Sequence, residues 1–374
     1  MNPETLFCLN LSCPARGQAG KGNIGIHSEQ EGRCICHECG KTFAATKGTI
    51  FHRLRTDPEI VMIVIVLLSY QCPIPAIVKA FGFDERTVKN WWNRAGAHCE
   101  ELHEHIVGRS KLELIQVQAD ELRVKVWGGV VWMALAIAVP SRLWLAGVVS
   151  PTRDKSLIQR VADQVRNCSL CRPVLIAVDG LASYPGAFKR AFRSKARREP
   201  GQQGRTRLVE WPDIHIVQVV KQRTHDSFDI CRRLYQGSQQ IVDRLLANSQ
   251  GGGVINTAYI ERLNATFRQR IPWLTRRSRY LAHDSALLQS SMFIVGCLYN
   301  LHDFHHSLRL PIWISDTKKH WVQRTPAMAA GLTNHQWSFS EIFWFRIPPT
   351  PWTPPRQRGR PSQQTQALVE RWCS

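Results

Sequence analysis

The chain has 374 residues, 44% of them hydrophobic, and is therefore long enough for two or three domains with cores of their own. Its 49 Lys and Arg residues against 29 Asp and Glu residues give a net charge of +20, which favours a polyanionic partner. Nucleic acid is the first candidate for this partner, and a ribosome, a membrane surface and polyphosphate are the alternatives. The start of the chain lacks the apolar segment of a secretory signal, and the longest apolar run, residues 60–68, is too short to span a bilayer. We therefore interpret the twelve cysteines as cytoplasmic thiols or metal ligands and not as a disulfide framework.

Five cysteines near the start of the chain have the spacing of a metal-binding module. Cys8 and Cys13 precede a glycine-rich segment, and Cys34, Cys36 and Cys39 follow it. Two close groups separated by a loop can hold one zinc ion, because a tetrahedral thiolate site takes its ligands from two turns of the chain. We predict a zinc ion on Cys8, Cys13, Cys36 and Cys39, with Cys34 as the first substitute. The alternative is a set of unligated surface thiols.

The next segment has the pattern of a helix-turn-helix domain. Asp57 and Pro58 open a first helix, Gly82 ends a second, and Asp84 caps a third that is expected to extend to Arg94. The residues expected to form its small core are Ile77, Phe81, Val88 and Trp92. The side chains expected to point outward, where they can contact bases or phosphates in the major groove, are Arg86, Lys89, Asn90 and Arg94. The alternative is a helical linker domain with a basic face.

From residue 114 the hydrophobic pattern changes to that of strands. Three strands in an antiparallel meander, a helix and a fourth, fully buried strand are expected over residues 114–121, 124–139, 143–149, 154–167 and 173–180. Asp120 ends the first strand and Asp179 ends the fourth. If these two strands are neighbours, their carboxylates face each other across a small gap, where repulsion favours a bound cation.

Residues 256–270 have the spacing of a helix with two distinct faces. The apolar face consists of Ile260, Leu263 and Phe267, and the adjoining polar face of Glu261, Asn264 and Arg268. If this helix packs on the sheet, Glu261 joins the two aspartates, and the three acids can hold two Mg²⁺ ions for an in-line phosphoryl transfer. The alternative is an ordinary amphipathic helix with a solvated polar face.

Two other acids of this region are not expected to be first-choice metal ligands. Glu121 follows Asp120, but alternation along a strand turns its side chain to the opposite face, so it is the second choice as a ligand. Asp154 opens a helix after Arg153 and is expected to be its N-cap.

Two basic segments are expected to contact DNA phosphates, although solvated loops would have the same composition. Arg193 and Arg197 belong to the first, a basic insertion, and Arg276 and Arg277 belong to the second. The chain also has 13 tryptophans, and aromatic side chains beside basic ones suit stacking on bases.

The predicted acids lie in three blocks, residues 118–122, 178–184 and 256–264. With the cysteine module and the helix-turn-helix pattern before them, and the segment 325–332 after them, these blocks resemble the DDE transposases of bacterial insertion sequences. The resemblance implies an α/β fold: a ribonuclease-H-like mixed sheet flanked by helices, preceded by a small zinc-binding module and a helical helix-turn-helix domain.

The same resemblance implies a function. Such an enzyme uses Mg²⁺ or Mn²⁺ to cut DNA at inverted-repeat transposon ends and to join it to target DNA, as a homo-oligomer on double-stranded DNA. Asn264 and Arg268 are then expected to brace Glu261 or to contact the phosphates of the scissile strand. The expected location is the bacterial cytoplasm, on the nucleoid and away from membranes. Two alternatives stay open: a zinc-finger/helix-turn-helix DNA-binding regulator on an inactive scaffold, and a ribonuclease-H-like nuclease that cuts without joining.

The expected domain organisation has four parts. They are a zinc-knuckle module over residues 1–52, a helix-turn-helix domain over 53–110, a catalytic domain over 111–310 with the basic insertion around 188–210, and a C-terminal extension over 311–374. The proline- and arginine-rich tail from about residue 348 is expected to be disordered.

Overall fold

The computed structural model describes residues 2–197, 203–223, 228–249, 251–275, 285–313, 319–354 and 359–373. The chain divides into two compact units, Met1–Val61 together with Phe343–Ser374, and Met62–Ile342. The finer domain borders expected from the sequence stay predictions. Among the helices of the described residues, none combines the length and the apolar composition that a bilayer crossing needs.

The first unit begins with a three-stranded antiparallel sheet, whose strands are β1 (Ile24–Ser28), β2 (Arg33–Cys36) and β3 (Thr42–Ala44). Its small core is built around sulfur. The buried side chains of this cluster are Leu6, Cys8, Cys13, Ala15, Ile24, Cys34, Cys36 and Phe43. So few large apolar side chains give a weak core, and modules of this size are commonly stabilised by a metal.

Three helices follow in the predicted order: α1 (Pro58–Ser69), α2 (Ile74–Phe81) and α3 (Glu85–His103). The residues predicted to end α2 and to begin α3 are confirmed. Gly82 ends α2 in the left-handed conformation with φ of 72°, and the Asp84 side chain accepts a hydrogen bond from the backbone N–H of Arg86. α3 is longer than predicted and continues through a π-helical turn, Glu104–Gly108.

The expected core of these helices is only partly correct. Ile77, Val88 and Trp92 are buried, but Phe81 is 39% exposed. Phe81 is the last residue of α2 and stacks on Phe83, with ring centroids 6.0 Å apart. Phe83 packs edge-on against Trp91, and so takes the place predicted for Phe81.

The second unit is built on a six-stranded mixed sheet. Its first three strands form the predicted antiparallel meander and are β4 (Gln116–Val126), β5 (Gly129–Ala138) and β6 (Trp144–Ser150). Helix α4 (Lys155–Cys168) then leads to β7 (Val174–Asp179), which pairs in parallel with β4. The first and fourth strands are therefore neighbours, as the site prediction required.

The rest of the sheet follows β7 in the chain. Helix α5 (Ser183–Ala191) precedes a short hairpin of β8 (Arg193–Lys195) and β9 (Leu208–Glu210). β10 (Ile214–Arg223) then pairs in parallel with β7, and β11 (Phe228–Gln236) pairs antiparallel with β10 at the edge. The strand order is β11-β10-β7-β4-β5-β6. Parts of the basic insertion are thus a helix end and a hairpin.

Three helices pack around this sheet: α6 (Gln239–Asn248), α7 (Ala258–Arg270) and α8 (Ser285–Leu301). α8 is buried along most of its length and lies against α3 and β6. A Cβ atom on Gly96 of α3 would come within 2.4 Å of the Ser290 Cα atom, so the two helix backbones nearly touch. The Trp92 indole N–H donates to the Ser291 hydroxyl at 2.9 Å and fixes their register.

The last described elements are β12 (Leu310–Trp313), β13 (Lys319–Val322), α9 (Pro326–Ala329), α10 (Phe339–Trp344) and α11 (Gln363–Trp372). The expectation of a disordered tail is wrong for α11. Ser362 caps this helix by accepting from the backbone N–H of Thr365, and the Trp372 indole N–H donates to the Leu11 carbonyl at 3.2 Å. This contact joins α11 to the start of the chain within the first unit.

Candidate active site and metal centres

Two of the predicted acids lie on neighbouring parallel strands. Ala119 of β4 is paired with Val178 of β7, so Asp120 and Asp179 follow where the pairing of these two strands ends. The prediction that Asp120 ends its strand is wrong, because β4 continues to Val126 through its pairing with β5. Carboxylate oxygens of Asp120, Glu121 and Asp179 all lie within 4.8 Å of one another. This cluster sits where β7 ends and the chain turns towards α5.

The third predicted acid is placed by a buried glutamine. The Gln118 side chain is fully buried on β4, and its carbonyl oxygen accepts hydrogen bonds from the backbone N–H groups of Tyr259 and Ile260, both at 3.0 Å. Its amide nitrogen donates to the Asn256 carbonyl at 2.7 Å. First-turn N–H groups have no partner within a helix, so Gln118 caps α7 and attaches it to the strand two residues before Asp120.

The three acids line one cavity of about 330 Å³. Its walls are formed by Asp120, Asp179, Gly180, Val219, Val220, Lys221, Thr257 and Glu261. The structure thus brings together Asp120 from β4, Asp179 from β7 and Glu261 from the first turn of α7.

The polar partners of Glu261 are Lys221 and Thr257. The Lys221 ammonium forms an ion pair with a Glu261 carboxylate oxygen, and the Thr257 hydroxyl donates to the same oxygen at 2.8 Å. Lys221 lies on β10, two residues beyond Val219, which pairs with Asp179. A cation therefore balances Glu261 inside the cavity.

The amide of Asn264 braces Asp120, whereas the sequence analysis expected it to brace Glu261 or to contact phosphates. Its amide nitrogen donates to the Asp120 carboxylate at 2.7 Å, and its side chain is 2% exposed. Within the described residues its buried oxygen has no hydrogen-bond partner. Arg268 follows one turn later and is half-buried.

Two side chains contact the carboxylate of Glu121. The Arg153 guanidinium forms an ion pair with it, and the Tyr184 hydroxyl donates to it at 2.8 Å. Asp154 next to Arg153 is the N-cap of α4, as predicted, and accepts from the N–H groups of Ser156 and Leu157. Glu121 is therefore already balanced by a cation, although its carboxylate lies close to the aspartates.

The two aspartates carry negative charge without such a partner. Within the described ranges, no Lys or Arg forms a salt bridge with Asp120 or Asp179. Burial, followed by the nearby charges of Glu121 and Asp179, raises the pKa of Asp120 from 3.8 to about 6. Burial also raises the pKa of Asp179. A divalent cation between them would relieve this repulsion, and a set of carboxylate oxygens suits Mg²⁺ or Mn²⁺.

The cysteines form a second candidate metal centre. Sulfur atoms of Cys8, Cys13, Cys36 and Cys39 all lie within 4.8 Å of one another, with Cys8 to Cys39 at 3.6 Å and Cys13 to Cys36 at 3.7 Å. Four thiolates on a tetrahedral zinc ion lie about 3.8 Å apart, since each Zn–S bond is about 2.3 Å. The four sulfur atoms therefore have the spacing of a zinc site.

Cys34 does not belong to this group of four. It is buried within β2 opposite Phe43 of β3, and burial raises the pKa of its thiol, an effect that the charge of Arg346 partly offsets. Two N–H groups point at sulfur atoms of the group of four. The Asn10 N–H points to the Cys8 sulfur at 3.4 Å, and the Asn23 amide points to the Cys36 sulfur at 3.6 Å.

The side chains predicted to bind DNA on α3 are partly exposed. Arg86 and Asn90 are exposed, Arg94 is half-buried, and Lys89 forms an ion pair of 2.6 Å with Glu85. This arrangement leaves a polar, basic face on the first half of the helix.

Two of the four other predicted DNA contacts lie in the described part of the chain. Arg193 is half-buried at the start of β8 and donates to the Lys189 carbonyl at 3.2 Å, whereas Arg197 is exposed. Arg276 and Arg277 lie outside the described residues, so their predicted contacts stay predictions.

Sequence reasoning missed an aromatic hairpin formed by β12 and β13. Trp313 is 62% exposed, and the Lys319 ammonium lies 5.2 Å from its ring centroid and 4.3 Å from that of Trp321. The Arg309 guanidinium lies 3.9 Å from the Trp321 centroid. The signal present in the sequence was two tryptophans, Trp313 and Trp321, within a short segment that also contains Arg309 and Lys319.

No protein-family model and no curated protein matches the chain. The features of the chain that bear on its function are the acid-lined cavity, the four cysteines and the exposed basic and aromatic surfaces.

Proposed function

We propose that the chain is a DNA transposase that cuts DNA at transposon ends and joins it to a target with two divalent metal ions. The observation that carries this proposal is the convergence of Asp120, Asp179 and Glu261 on one cavity. Three acids from two strands and a helix suit a two-metal phosphoryl transfer, in which the substrate oxygens complete the coordination.

The sheet supports a ribonuclease-H-like assignment. An antiparallel meander, β4-β5-β6, is followed by β7 and β10 parallel to β4 on its other side. We assign the catalytic unit to that fold, with β11 as an added edge strand. In this assignment the acids lie on the central strand, the neighbouring strand and a helix packed against them.

Asp120 and Asp179 would hold Mg²⁺ or Mn²⁺, with Glu261 supplying the third carboxylate. When bound, such ions activate the attacking oxygen and stabilise the leaving oxygen. Asn264 keeps the Asp120 carboxylate oriented through its 2.7 Å hydrogen bond. Gln118 keeps α7 in place, so that Glu261 faces the aspartates.

Double-stranded DNA is the proposed partner. The charge of +20 and the exposed basic face of α3 favour contact with phosphates. The aromatic hairpin suits stacking on bases that are unpaired at a cut end. A zinc ion on the four cysteines would stabilise the first unit next in sequence to these helices.

The test uses labelled DNA ends taken from the inverted repeats that flank the coding sequence, together with a supercoiled target plasmid and Mg²⁺. A transposase yields cut ends and a product joined to the plasmid. A nuclease yields cut ends alone, and a DNA-binding regulator yields a shifted complex without cutting. Asp179→Asn keeps the size of the side chain and is expected to bind the ends without cutting them, whereas the exposed Asp243→Asn on α6 should behave as wild type.

A further inference from the structure

Lys221 and Glu261 form an ion pair in the wall of the acid-lined cavity. Their ion pair is partly exposed, with 44% of the Lys221 side chain and 48% of the Glu261 side chain accessible. Both residues line the same cavity as Asp120 and Asp179. A lysine has a flexible stem, so its ammonium can exchange partners without a backbone movement.

Glu261 is therefore occupied by a cation of the protein. The group of carboxylates close enough to share a metal consists, within the described residues, of Asp120, Glu121 and Asp179. Glu261 is held outside this group by Lys221 and by the hydroxyl of Thr257. A metal ion that takes Glu261 as a ligand must compete with the lysine.

We propose that Lys221 has two successive partners: it holds Glu261 while no metal is bound, and it binds a DNA phosphate once Glu261 turns to the metal. This inference rests on the proposed function and adds a positioning residue to the same site. After the exchange, a phosphate of the scissile strand neutralises the lysine, which otherwise faces two divalent ions across the cavity. Lys221 thereby couples metal binding to the arrival of DNA.

This exchange of partners predicts that one substitution raises metal affinity and lowers the rate of cleavage. Lys221→Met keeps the length of the side chain and removes its charge. Without the competing ammonium, Mn²⁺ affinity in the absence of DNA is expected to rise about two- to fivefold, the range for a partly exposed ion pair. Without the phosphate contact, the rate of strand cleavage at saturating metal is expected to fall on the order of tenfold or more.

Two control variants separate this role from general stabilisation. Lys221→Arg keeps the charge and is expected to retain near wild-type metal affinity and most of the cleavage rate. Lys125→Met removes the charge of an exposed lysine near the end of β4 that does not line the cavity, and should change neither quantity.

The experiment titrates the full-length chain with Mn²⁺, follows free Mn²⁺ by electron paramagnetic resonance, and measures cleavage of labelled ends separately. Unchanged or reduced Mn²⁺ affinity in Lys221→Met overturns the inference and leaves the proposed function intact. Equal losses of affinity, cleavage and thermal stability would instead identify a structural ion pair. If the wild-type chain binds no Mn²⁺, the proposed metal site and this inference both fail.

Discussion

Gln118→Leu is expected to displace the third acid while leaving all three acids in the sequence. Gln118 makes three hydrogen bonds to backbone groups at the start of α7, at 2.7, 3.0 and 3.0 Å. Leucine has a similar size but can neither accept from the two helix N–H groups nor donate to the Asn256 carbonyl. The substitution therefore leaves three polar backbone groups unpaired beside a buried strand.

The expected cost follows from these bonds. Each contributes about 1 kcal/mol net, so their loss lowers the free energy of unfolding by about 3 kcal/mol. For a unit of this size that corresponds to a decrease in melting temperature of roughly 5–10 °C. Because α7 loses its attachment near Asp120, Mn²⁺ affinity and strand cleavage are expected to fall as well.

Urea denaturation and Mn²⁺ titration of the same samples provide the assay. Gln239→Leu is the matched control, because Gln239 lies on the exposed side of α6 and donates only to Asp243, one turn away. That variant should stay within about 0.5 kcal/mol of wild type. A Gln118→Leu protein with wild-type stability and metal affinity would refute the role of Gln118 as the cap that positions Glu261.

Three further predictions follow from the two metal centres and the aromatic hairpin. Because the pKa of Asp120 is raised from 3.8 to about 6, the folded chain holds this proton more tightly than the unfolded chain, and stability falls as pH rises through that window. Asp120→Asn should therefore be more stable than metal-free wild type at pH 8, on the order of 2–3 kcal/mol by urea denaturation, with the difference vanishing towards pH 4; equal stability at pH 8 contradicts this. Cys39→Ser should lose the zinc ion and melt the first unit, whereas Cys34→Ser should retain one zinc per chain by metal analysis; zinc loss in both variants contradicts the four-cysteine site. Trp313→Ala should weaken binding of a single-stranded oligonucleotide on the order of tenfold by fluorescence anisotropy, and Trp127→Ala, which changes a tryptophan that is 71% exposed at the β4–β5 turn, should not; equal effects of the two variants would exclude a special role for the hairpin.

The features that the sequence predicted are those governed by local patterning. The apolar runs of β4 to β7 were visible because these strands are buried, and Asp179 follows from the end of the β7 run. The end of β4 was placed too early, because the strand continues past Asp120 with alternating polar residues. Gly82 and Asp84 end and begin helices through interactions within a few residues. The four cysteines were likewise identified from their spacing, although the choice between Cys34 and its neighbours needed the register of β2 with β3.

The features that were missed depend on contacts between distant parts of the chain. Gln118 and α7 are far apart in sequence, so the cap is visible only once the helix is docked on β4. Asn264 points to Asp120 because the burial of Ile260 and Leu263 determines how α7 is rotated on the sheet. None of the side chains described for β11, residues 229–236, is buried, so no alternating pattern marks this strand in the sequence; Tyr235 near its end is 55% exposed.

Whether Asp120, Asp179 and Glu261 form one metal site can be seen by anomalous X-ray scattering from a crystal of the chain grown with Mn²⁺ and a transposon-end DNA. We expect an anomalous peak between Asp120 and Asp179, with carboxylate oxygens at about 2.1 Å, and Glu261 turned from Lys221 towards the metal. A well-ordered site without manganese between the aspartates, or with manganese bound only elsewhere on the chain, would contradict it.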